Sequence, residues 1–276
     1  MKRMALLSAV CLLAASAGAQ QNFYATNNLS VNNYGTVGDE LIVYDYGTAV
    51  WSAVGDTRVS GLGGLDWSST AMTTLIAVDS FGTSPGRMYS INPATAVATP
   101  IGNAPRAFHD LALNRTNNKM YGTDSASGLW RDDNGDSIPE TLLGTYSPGG
   151  FLEVGLGFDG QGNVYVMDLV TDIIYKGVGD NPATTVPLIF LPFNANYSQG
   201  FYVGNNQGYH AAFNATAFTQ QNWTFNLDGS NYAMASQFAT HPNGLPEVEV
   251  GDLTPVPEPA SLLLLGLGGL ALLRRR

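Results

Sequence analysis

The sequence predicts an all-β protein, a β-propeller of five blades of about 45 residues, closed by a C-terminal strand. Three observations carry this. Short apolar segments recur at a nearly constant spacing; each is followed by further runs of four to six aromatic and β-branched residues; and a helical period is hard to find between Gln20 and Pro255. A repeat of four short strands every 40–50 residues suits blades that cannot bury both faces alone and stack radially to do so.

The recurring segments are Gly64–Trp67, Asp110–Leu113, Gly155–Phe158 and Gly200–Val203. From Leu65 to Leu111 is 46 residues, and Leu111 to Leu156 and Leu156 to Phe201 are 45 each. These are the predicted inner strands. Second strands follow at Leu75–Asp79, Met120–Asp124, Val164–Asp168 and Tyr209–Phe213, and third strands at Met88–Ile91, Gly128–Arg131, Ile173–Lys176 and Trp223–Asn226. Fourth strands are legible at Ala98–Gly102 and Thr141–Gly144. The first unit is incomplete: Phe23–Asn27, Leu41–Tyr46 and Trp51–Gly55 read as its second, third and fourth strands. Its inner strand is expected from the other end of the chain, at Glu247–Val250, which would close the ring. A β-sandwich of similar strand density is the alternative fold.

The chain has 276 residues, 12 basic and 22 acidic, and a formal charge of −10; charged residues are only 12%, and glycine reaches 32. Such a balance excludes a nucleic-acid partner, which needs basic clusters to neutralise phosphates. The two ends have a different composition from the body. Lys2 and Arg3 precede an apolar run from Met4 to Ala15 and a small-residue site at Ala17 and Ala19, the plan of a secretory signal peptide over residues 1–19. Cleavage by a signal peptidase after Ala19 also removes Cys11, the only cysteine, so the mature chain relies on packing and not on disulfides.

At the other end, Val256, Pro257, Glu258 and Pro259 lead through Ala260 and Ser261 into an apolar run, Leu262–Leu273, and then Arg274–Arg276. Twelve apolar residues are short for a membrane span, and the terminal arginines fit an orientation that leaves the body outside. This tail, residues 256–276, closely resembles the PEP-CTERM protein-sorting tail of Gram-negative bacteria. The resemblance implies an exported protein, held transiently in the inner membrane by the C-terminal helix. It is then processed by an exosortase and passed to the cell surface or an exopolysaccharide matrix. The extracytoplasmic body is then residues 20–255, with 21 acidic and 7 basic side chains.

Within the body, Asp132, Asn134, Asp136 and Glu140 stand at positions 1, 3, 5 and 9 of an acidic turn, a spacing that can aim several hard oxygens at one Ca²⁺. The turn resembles the calcium loops of extracellular repeats, but Ser137 stands where they have a glycine. The alternative is a solvated turn between the third and fourth strands. His109, His210 and His241 show no zinc spacing. Asp79, Asp124 and Asp168, with Asn27, recur at second-strand ends, where Asx side chains bond nearby backbone. Trp51, Trp67, Trp130 and Trp223 suit packing between blades, while Tyr34 and Tyr197 suit loop tips open to sugar rings. The expected role is a non-enzymatic binding or structural module, with exopolysaccharide or a surface protein as ligand. The alternative is a secreted hydrolase or lyase of glycans or esters, using His109 and Asp110 in the central channel.

Overall fold

The computed structural model describes residues 21–28, 38–147, 153–204, 206–240 and 247–257. All regular structure among them is β. The strands are β1 (Asn22–Asn27), β2 (Glu40–Asp45), β3 (Trp51–Asp56), β4 (Leu62–Trp67), β5 (Leu75–Asp79), β6 (Arg87–Ile91), β7 (Ala98–Asn103), β8 (Phe108–Asn114), β9 (Lys119–Asp124) and β10 (Gly128–Arg131). They continue with β11 (Thr141–Thr145), β12 (Glu153–Phe158), β13 (Val164–Asp168), β14 (Ile173–Val178), β15 (Asn181–Phe190), β16 (Ala195–Val203), β17 (Gln207–Asn214), β18 (Thr219–Asn226), β19 (Ala233–Gln237) and β20 (Val250–Pro255).

These form five four-stranded antiparallel sheets, the blades of a five-blade propeller. Four blades are continuous in sequence, each running from an inner to an outer strand. The fifth has the order β20-β1-β2-β3, so the last strand supplies the inner strand of the first blade and closes the ring. The β-sandwich alternative is thereby set aside.

The periodicity placed the closing strand a few residues early. Glu247–Val250 is mostly a connection, and β20 begins only at Val250. Leu253, not a residue near 246, occupies the level of Leu65, Leu111, Leu156 and Phe201, because the link after β19 is longer than those between other blades. Two outer strands, β15 and β19, also went unread. Outer strands are half exposed, and polar residues such as Thr184, Ser236 and Gln237 blur the alternation that marks a strand.

The core lies between the blades. Inner and second strands are almost wholly buried, as in β4 and β5, whereas outer strands such as β7 face water. Each interface has its own apolar cluster, for example Leu65, Trp67, Leu75 and Ala77 with Leu41 and Leu113. Every inner strand carries a register shift against its neighbour near the same level, between Leu62 and Gly64, Phe108 and Asp110, and Glu153 and Gly155. Such bulges strengthen the local twist that each sheet needs to wrap about an axis.

Candidate functional site

The acidic turn between β10 and β11 is wound by side-chain bonds to its own backbone. Asp132 is buried, and its two carboxylate oxygens accept the Gly135 and Ser137 N–H groups at 2.7 and 2.8 Å. Asn134 Oδ1 accepts the Asp136 N–H and Asp136 Oδ1 the Ile138 N–H, both at 2.9 Å, while Glu140 Oε1 accepts the Asp133 N–H at 2.9 Å. Gly135 and Ser137 both have positive φ, 87° and 68°. Ser137 thus takes the left-handed conformation usually left to glycine.

This winding brings carboxylate oxygens of Asp132, Asp136 and Glu140 within 4.8 Å of one another. Asn134 belongs to the same turn but spends its Oδ1 on the backbone. Glu140 Oε2 is buried and has no hydrogen-bond partner. The neighbouring Asp133 is not part of the cluster. It pairs with Arg131 at 2.8 Å and with Lys119, and these partners hold its carboxyl well below the ordinary range. Arg131 also reaches Asp180 of the next blade at 3.1 Å. The arrangement offers three hard anionic oxygens to a divalent cation, with a fixed loop behind them.

The central channel is a different environment. Asp66, Asp110 and Asp252 lie on inner strands and are buried. Asp252 Oδ2 accepts the Leu65 N–H of one neighbouring blade, and Oδ1 faces the Phe201 N–H of the other at 3.4 Å. Asp110 accepts the Leu156 N–H, and Asp66 the Leu113 N–H at 2.7 Å. Thr254 donates to Asp66 at 2.6 Å and Arg115 pairs with it at 3.3 Å. These bonds join blade to blade at matching levels, so the inner strands run in one direction around the axis.

The carboxyls of Asp110 and Asp252 also hydrogen-bond each other. Burial drives both upward, and pushes Asp252 up to about 8. The sequence places Asp110 on an inner strand, where it is found buried, but does not bring it together with Asp252. The available signal was an aspartate next to the inner-strand leucine in Leu65-Asp66, Asp110-Leu111 and Asp252-Leu253. His109 stacks on Phe81, with ring centroids 5.3 Å apart. His210 is fully buried, its Nδ1 is 2.9 Å from the Tyr232 hydroxyl, and burial pushes it down to about 3.

The second-strand aspartates are turn-forming. Asp79 accepts the Gly82 and Ser84 N–H groups at 2.7 and 2.8 Å, and Asp124 those of Ala126 and Gly128 at 2.9 Å. Asp168 binds Val170 and Thr171 in the same way. Trp67 is in the core, Trp223 stacks on Tyr232 with centroids 4.9 Å apart, and Trp130 donates to Asp124 at 2.8 Å. Tyr34, His241, the Tyr197 side chain, Cys11 and the cleavage-site residues Ala17 and Ala19 lie outside the described residues.

Of the sorting segment, Val256 and Pro257 are described, while Glu258, Pro259 and the apolar run lie outside the described residues. Val256 N–H donates to the Asn22 carbonyl at 2.9 Å, and Phe23 pairs with Pro255. The first described residues and the last thus lie side by side. No helix among the described residues is long and apolar enough to cross a membrane.

Residues 255–276 match the family model described as the PEP-CTERM protein-sorting motif. No curated protein matches the chain. Among solved structures, a chain of "Crystal structure of Nidogen/Laminin Complex" superimposes with a TM-score of 0.54 at 12% identity, over 85% of this chain and 97% of that one. At that identity the likeness concerns the fold alone. The chain is a five-blade propeller that runs directly into a PEP-CTERM sorting motif, which implies export and processing by an exosortase.

Proposed function

We propose that this is a surface or extracellular-matrix protein, sorted by an exosortase, whose propeller serves as a non-enzymatic binding or structural module associated with exopolysaccharide. The observation that carries the reading is the sorting motif at residues 255–276, continuous with the strand that closes the ring. The burial of Asp66, Asp110 and Asp252, and their bonds to neighbouring blades, supports a structural role for the channel carboxylates. Replacing Pro257, Glu258 and Pro259 by alanine is expected to leave the full chain unprocessed in the membrane. Normal release of that variant overturns the sorting reading. For the body, the mature protein is expected to be retained by exopolysaccharide in a co-sedimentation assay and to turn over neither glycans nor esters. Turnover that is abolished by His109→Ala overturns the non-enzymatic reading.

The turn of Asp132, Asn134, Asp136 and Glu140 is proposed as the calcium site of this module. The convergence of three carboxylates and the unpartnered Glu140 Oε2 support it. The body's formal charge of −14 gives the ion a second use, since a bound cation offsets repulsion between this protein and an anionic polysaccharide.

A further inference from the structure

Pro255 belongs to two things at once, being the last residue of β20 and the first of the matched sorting segment. It is buried, and its carbonyl accepts the Trp67 Nε1–H at 2.8 Å. Val256, next along, donates its N–H to Asn22 at 2.9 Å. The segment therefore starts inside the fold, with no linker between them. From Val256 to Ser261, only six residues separate this anchorage from the apolar run at Leu262. Fully extended, they reach at most about 20 Å.

The surroundings of this stem follow from the topology. Inner strands share one direction, so the ends of β4, β8, β12 and β16 open on the same face as the end of β20. Third strands run parallel to inner strands within a blade, so the acidic turn at 132–140 is on that face too. Pro255 and Val256, where the matched segment begins, thus lie on the same loop-covered face. An enzyme acting there has to enter between that face and the membrane.

Peeling the stem away is costly. Releasing β20 breaks its pairing with β1, the Asp252 bonds to two blades, the Thr254–Asp66 bond and the Trp67–Pro255 bond. The motif is therefore met as the closed ring presents it.

From this we infer that ring closure restrains sorting: the propeller holds the amino-terminal edge of the motif in its closing strand, and exosortase access is limited by the shortness of the stem. The inference rests on the sorting reading above. It is tested by pulse-chase of the full chain in cells that process it, following the precursor's lifetime. A six-residue Gly-Ser insertion between Val256 and Pro257 lengthens the stem and leaves every bond of β20 in place. It is expected to shorten the precursor lifetime several-fold, with an unchanged melting temperature of the released body. Trp67→Phe, which removes one tie on Pro255, is expected to shorten it less. An unchanged or longer lifetime in the insertion variant overturns the restraint. The triple alanine variant of the motif, run alongside, separates the two readings. If it blocks processing while the insertion changes nothing, restraint alone fails; if it is processed normally, the sorting reading fails with it.

Discussion

Asp110 and Asp252 come together buried on the inner strands, and the upward shift of their carboxyls has a consequence for stability. In the unfolded chain each carboxyl loses its proton near pH 4. In the fold, burial raises both, Asp252 to about 8. Between these limits the folded state binds more protons than the unfolded one, so their contribution is complete below pH 4 and is lost as pH rises towards 8. Asp39, buried against the Leu62 N–H at 2.8 Å and pushed up to about 7, acts in the same window. The melting temperature is expected to fall between pH 5 and pH 8. Asp252→Asn keeps an acceptor for Leu65 and removes one titrating group, so its melting curve should depend less on pH; an equal slope rejects the raised Asp252 carboxyl. A second test at this scale concerns calcium. At a concentration tenfold above its Kd the ion is expected to stabilise the fold by about 1.4 kcal/mol, or roughly 3–5 °C in a chain of this size. Asp136→Ala should abolish the gain, and a wild-type melting curve unmoved by calcium rejects the site.

Inner strands explain a feature of the sequence that composition alone left open. At one level of the ring stand Gly64, Asp110, Gly155, Gly200 and Asp252, three glycines and two aspartates. Five strands crowd about the axis there, and side chains are admitted only where they bond across it. A Cβ on Gly64 would lie 2.5 Å from the Leu111 backbone nitrogen, and one on Gly155 2.8 Å from Phe201 Cβ. Gly64→Ala is therefore expected to destabilise by about 1–3 kcal/mol, the usual range for overpacking, measured by urea titration. A neutral result would mean that the blades can move apart. Inner and second strands were legible because both faces are buried and short apolar segments recur in them at a nearly constant spacing. The outer strands β15 and β19 were not, since water covers one side and the pattern weakens. The start of β20 was misjudged because a fixed period cannot anticipate a longer connection.

Closure governs the molecule as a whole. β20 brings residues far apart along the chain into contact, Phe23 with Pro255 and Trp67 with Pro255. A chain ending at Glu249 keeps every strand pairing of its four continuous blades and loses only that of β20 with β1, yet with it go Asp252 and the seam it seals. Its thermal unfolding is expected to lose cooperativity, seen as a broad calorimetric transition at lower temperature than that of residues 20–257. A sharp transition at the same temperature would show that the seam is dispensable. The sequence by itself determined the all-β class, the blade repeat, the acidic turn and the sorting tail, because each is written in residues close together along the chain. Only the tertiary structure decided that Asp110 and Asp252 come together in a buried setting that raises both carboxyls, and that the sorting motif starts inside the closing strand. Those facts depend on which distant strands the ring brings side by side, and short-range periodicity carries no information about that.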